Sequence, residues 1–154
     1  MAYNINLLNR RTSRKVSTFF PLLDRLKLQY NDPKRSSDLR YRHRYVNDDE
    51  YEKGGLGDIF DGNLYKEIID DGEYFNDERD IALIGSTDGY QIFKQRTDDC
   101  WVVMFINANL PLNERVKKEN LLISAVIPGP NQPKNFNSFL RPIVNELKML
   151  EGKF

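Results

Sequence analysis

Much of what commonly marks an enzyme is scarce in this 154-residue chain, and each scarcity removes a class of chemistry. A single cysteine, Cys100, cannot form an intramolecular disulfide, which fits a reducing compartment. With no second thiol and no basic residue nearer than Arg96, it reads as structural rather than nucleophilic. A single histidine, His43, excludes histidine-rich metal sites and argues against a Ser/His/Asp arrangement. Flanked by arginines, it reads as a solvated surface residue. No apolar run approaches the roughly 20 residues that cross a bilayer, and the opening residues lack the layout of a secretory signal. A soluble intracellular protein with no membrane partner is expected. Gly54, Gly55 and Gly57 are not followed by Gly-Lys-Ser or Gly-Lys-Thr, which excludes a phosphate loop.

Net charge is absent as well, since 23 Lys and Arg balance 23 Asp and Glu. The charge is nevertheless sorted into blocks. Residues 9–44 carry 11 basic and three acidic side chains, a balance of +8, and residues 45–80 carry three basic and 13 acidic, a balance of −10. Interleaved with Phe19, Phe20, Tyr30, Tyr41 and Tyr45, the basic block could lie along a phosphate backbone, with Arg40, Arg42 and Arg44 as the candidate nucleic-acid contacts. The acidic block beside it offers an internal neutralising partner. The length suits one ordinary domain. Composition divides it into a charged helical and loop segment over residues 1–79 and a more apolar core over residues 80–154.

Within the first segment, Leu22, Leu23, Leu26 and Tyr30 fall at helical spacing, with Pro21 acceptable in a first turn. Residues 31–49 and the glycines at 54–57 predict a loose linker. A helical turn or two is expected after Asp61 or Asn63 as cap, then an acidic loop over residues 70–77. In the second segment, residues 81–84, 101–106 and 121–127 are short apolar runs bounded by turn formers and predict three strands. Phe136, Phe139, Leu140, Ile143, Val144, Leu147 and Leu150 repeat at i, i+3, i+4 and i+7, the strongest helical pattern present. Pro142 lacks an amide donor and places the expected start of regular helix near Asn137 or Ser138.

The run Ile81-Ala82-Leu83-Ile84 leads through Gly85 and Ser86 to Thr87-Asp88-Gly89. Asp-Gly is first a turn signal. A carboxylate at the tip of an apolar strand is also a rigid mount for a hard divalent cation, so Asp88 is the candidate catalytic and metal-ligating residue.

Four sequence features together resemble transposases of the CACTA (En/Spm) class of DNA transposons. They are residues 19–26 (Phe-Phe-Pro-Leu-Leu-Asp-Arg-Leu), Gly57-Asp58-Ile59-Phe60-Asp61-Gly62 with Tyr65, the Leu83 to Gly89 stretch, and Asn109-Leu110-Pro111 followed by Lys117-Lys118-Glu119-Asn120 and Ile127-Pro128-Gly129-Pro130-Asn131-Gln132-Pro133-Lys134. The resemblance implies an α+β, ribonuclease-H-like core that cuts and joins DNA with three carboxylates and two Mg²⁺ ions. Asp88 matches the first carboxylate. The other two would come from a later strand and helix, so the expected fold is an incomplete core of three antiparallel strands and one amphipathic helix. By the same resemblance the partner is DNA at transposon ends and the location is the nucleus. The expectation is a transposase fragment inactive alone, whose first strand leaves an apolar sheet edge open to self-association. The alternative is a non-enzymatic nucleic-acid or protein interaction module derived from a transposon.

Overall fold

A computed structural model describes residues 3–5, 16–48, 55–91, 99–129 and 133–151. Arg10, Arg11, Arg14, Lys15, Gly54 and the Pro130-Asn131-Gln132 portion of the loop lie outside the described residues. The fold is α+β. Strands β1 (Tyr3–Ile5), β2 (Ser17–Phe19), β3 (Leu83–Gln91), β4 (Asp99–Asn107) and β5 (Leu122–Pro128) form one sheet in the order β1-β2-β5-β4-β3. The β1/β2, β2/β5 and β4/β5 pairs are antiparallel. The helices are α1 (Leu23–Asn31), α2 (Pro33–Asp38), α3 (Tyr41–Val46), α4 (Asn63–Asp70), α5 (Leu112–Arg115) and α6 (Phe136–Leu150). By internal contacts the chain divides into a first unit, Met1–Lys27 with Gly85–Phe105 and Leu122–Phe154, and a second unit, Leu28–Ile84 with Ile106–Leu121. The expected boundary between residues 79 and 80 falls inside the second unit.

The first unit holds most of the sheet together with α6. Trp101 on β4 meets Phe136 of α6 edge to face, with ring centroids 6.1 Å apart. Helix α6 starts at Phe136, earlier than Pro142 suggested, because Asn135 caps it by accepting a hydrogen bond from Ser138 N at 3.2 Å. From the helix interior, Glu146 is buried and its Oε1 accepts from Leu22 N at 2.8 Å and Leu23 N at 3.0 Å. That carboxylate satisfies orphan amides at the start of α1 and suits the positive end of its dipole.

In the second unit the expected linker over residues 31–49 is instead largely helical over its described part, residues 31–48. Asp32 caps α2 by accepting from Arg35 N at 2.7 Å, with Pro33 in the first turn. Between α2 and α3, Leu39 is completely buried. Tyr41 and Tyr45 of α3 then join Phe60, Tyr65, Ala82 and Ala108 in an aromatic-rich core, with Phe60 and Tyr65 edge to face at 4.9 Å. These helices are held by a few anchors, so the apolar periodicity that announces a helix is missing.

Candidate nucleic-acid interface

Asp88 does not sit at a strand tip. Strand β3 begins at Leu83 and runs through Asp88, so Asp88-Gly89 is neither a hairpin turn nor the end of a buried strand. An added Cβ at Gly85 would stand 3.1 Å from the Phe105 ring, closer than ordinary contact, whereas one at Gly89 would meet Trp101 at an ordinary 3.7 Å. Gly85 makes room for a large ring on the neighbouring strand. Alternation along the pleat turns Asp88 to the face opposite Gly89, where it is exposed. Strand β3 ends the sheet; Leu83 and Ile84 at its start, part of the apolar edge expected over residues 81–84, are half-buried, and residues 85–89 beyond them are small, polar and exposed. Among the described residues no group of three or more His, Cys, Asp or Glu side chains could hold a metal ion. One exposed carboxylate does not by itself make the two-ion centre that the resemblance implies; further ligands would have to join Asp88 to hold an ion.

The three arginines expected to contact nucleic acid separate. Arg42 is only 1% exposed. Its Nε donates to Asp80 O at 3.2 Å, Nη1 to Tyr65 Oη at 3.1 Å and Phe75 O at 3.4 Å, and Nη2 to Asp77 O at 2.6 Å. The guanidinium also lies 5.0 Å from the Phe75 ring centre. Arg42 is thereby removed from any phosphate-binding surface and instead folds residues 75–80 around itself. The grip also accounts for Phe75, a bulky residue held at φ +61°.

Arg40 and Arg44 stay at the surface. With Pro33, Ser36, Ser37, half-buried His43 and Glu78 they line an open groove of about 440 Å³. Arg44 Nη1 donates to Ser37 O at 2.9 Å, which fixes its stem against α2. His43 stands near Asn47, whose side chain lies 3.3 Å from Nδ1. The groove brings together two guanidiniums, which only donate, and an imidazole that can donate from one ring nitrogen, a set suited to phosphate oxygens.

Sequence reasoning missed the most heavily bonded charges of the second unit. The side chain of Asp58 is 0% exposed and forms a bidentate ion pair with Arg115, Nη1 to Oδ1 at 2.9 Å and Nη2 to Oδ2 at 3.1 Å. It also accepts from Ile59 N at 2.6 Å and Tyr41 Oη at 2.8 Å. Arg115 also donates from Nε to Leu110 O at 3.0 Å and from Nη2 to Ala108 O at 2.7 Å. Burial and the bond to Asp58 push the Tyr41 phenol well above its ordinary value. Asp61 is buried too. Burial alone would raise its carboxyl, but donation from Asp58 N, Tyr45 Oη and Gly57 N outweighs it and the result is a lowered pKa. Asn109 ties the set to the start of β3, accepting from Ala82 N at 2.9 Å and donating to Asp80 O at 2.8 Å. The Gly57 to Gly62 motif and the Asn109-Leu110-Pro111 motif are thus two halves of one buried polar lock. The only signal in the sequence was that both belonged to the resemblance.

A family model described as Transposase family tnp2 matches residues 54–153. No curated protein and no solved structure matches the chain. The matched stretch contains the Asp58–Arg115 lock and the Asp88 strand, and it begins after Arg40 and Arg44. On that match over most of its length, the chain belongs to the transposase family tnp2.

Proposed function

We propose that this tnp2-family chain acts on DNA and holds the phosphate backbone through the groove of Arg40, His43 and Arg44. In this reading it is a CACTA (En/Spm) transposase segment with a ribonuclease-H-like core, works at transposon ends in the nucleus, and contributes Asp88 as one carboxylate toward a Mg²⁺ site. The groove carries the reading. Two exposed arginines line it, and the competing partner of Arg40 is a surface carboxylate, Glu78 Oε1 at 3.4 Å, of the kind that contributes little in water. A phosphate brings more acceptor oxygens and releases counterions on binding.

Binding of a short mixed-sequence DNA duplex across a salt series tests this. Affinity should fall linearly on a log–log plot. Replacing both Arg40 and Arg44 by Gln should lower affinity at every salt concentration and reduce the slope by about 2. Unchanged affinity and slope in the double variant would overturn it.

A further inference from the structure

Within the groove, Glu78 has a role that a plain phosphate site does not need. Of the acidic residues in Asp77-Glu78-Arg79-Asp80, two are committed locally. Asp77 accepts from Arg79 Nε at 2.8 Å and Nη2 at 2.9 Å, and Asp80 Oδ2 accepts from Asp77 N at 2.8 Å. Glu78 instead reaches across to Arg40, Oε1 to Nη2 at 3.4 Å, and lines the groove beside Arg44 and His43. Its backbone is not free to drift, because the carbonyls on either side of it, Asp77 O and Asp80 O, are both held by the buried Arg42. The side chain itself is 39% exposed and can leave by rotating about its own bonds.

We propose that Glu78 is an intramolecular competitor for the DNA phosphate, a carboxylate mounted on a rigid turn that occupies Arg40 until a backbone phosphate displaces it. This rests on the groove being the DNA contact. The buried arginine sets the position of the competitor and the surface arginine is what it competes for, so Arg42 and Arg40, two residues apart, serve opposite ends of one device. Displacement releases Glu78 to water, costs only a screened surface pair, and exchanges one carboxylate for a phosphate. The competitor therefore tunes affinity rather than abolishing it. It also sharpens the preference for densely charged backbones, because a single weak anion gains little over the carboxylate already there.

Affinity for the same duplex, measured for the full chain and for Glu78→Gln, Arg40→Gln and the double variant, tests it as a cycle. Glu78→Gln should tighten binding about two- to fivefold, the range of an exposed ion pair. In the Arg40→Gln background the gain should vanish, because the guanidinium it frees is gone. Equal tightening in both backgrounds would mean that Glu78 acts only through net charge, and no tightening in either would mean that it does not compete; both outcomes overturn the proposal while leaving the groove as a DNA site. Loss of all DNA binding in the unmodified chain would instead remove the groove reading itself. Glu78→Ala, with a matched thermal melt, guards against an artefact of the Gln side chain.

Discussion

The two units of this chain are stabilised in different currencies of contact. The second unit is organised around buried charge: Arg42 on backbone carbonyls and a phenol, Arg115 on Asp58 and two further carbonyls, Asp61 on two amides and a hydroxyl. The first is organised around sheet pairing and rings over small residues, with Trp101 and Phe105 beside Gly89 and Gly85. Buried charges tolerate no loss of a partner, whereas ring packing tolerates modest changes of shape. Polar residues that look like surface in a sequence are therefore the most sensitive positions of the second unit, and the residue that looks like an active site, Asp88, lies exposed on a glycine-spaced strand.

The largest effect should come from Arg115→Met. It leaves Asp58 buried with two of its donors gone, and stability should drop by about 3–5 kcal/mol in a denaturant melt. A change near that of an exposed salt bridge would show that the lock carries no load. Gly85→Val probes the other unit. Its side chain meets the Phe105 ring, and the same melt should show a loss of about 1–3 kcal/mol as the ring is displaced. An effect as large as that of Arg115→Met would erase the contrast between the units.

A smaller, pH-dependent effect belongs to Asp61. Its folded carboxyl lies below the ordinary value of 3.8. The stability it contributes is therefore fully present above that value and is lost as pH falls through it toward the folded pKa. The melting temperature of the unmodified chain should decline on acidification below about pH 4, and Asp61→Asn should flatten that part of the profile. Parallel acid profiles for the two proteins would remove Asp61 from the account.

Strands β4 and β5 were legible as apolar runs bounded by turn formers, residues 101–106 and 121–127, and α6 by the helical repeat from Phe136 to Leu150, whereas β1 and β2, which extend the expected three strands to five, carry no such run. Helices α2 and α3 were not legible. The first buries none of its residues, and the only residue buried in the second is an arginine, so no apolar stripe marks either. Nor was the lock legible, since Asp58 and Arg115 stand 57 residues apart and carry no local sign of pairing. The position of Asp88 was misread for a related reason. Asp-Gly signals a turn when judged by its neighbours in sequence, while both residues lie inside strand β3, set by pairing across the sheet. Of the basic trio, Arg40 and Arg44 lie at the surface and Arg42 is internal structure, a difference that their shared spacing does not reveal.

That division of labour among three arginines spaced by two is the central claim, and one paired measurement tests it most directly: thermal stability and duplex-DNA affinity on the same samples of Arg42→Met and of the Arg40→Gln, Arg44→Gln double variant. The account predicts that Arg42→Met melts markedly lower, by about 2–3 kcal/mol of lost charged hydrogen bonding, and that the double variant melts like the unmodified chain but loses DNA affinity and salt dependence. A double variant that binds DNA normally, or an Arg42→Met protein that keeps its stability and loses only DNA binding, would contradict it.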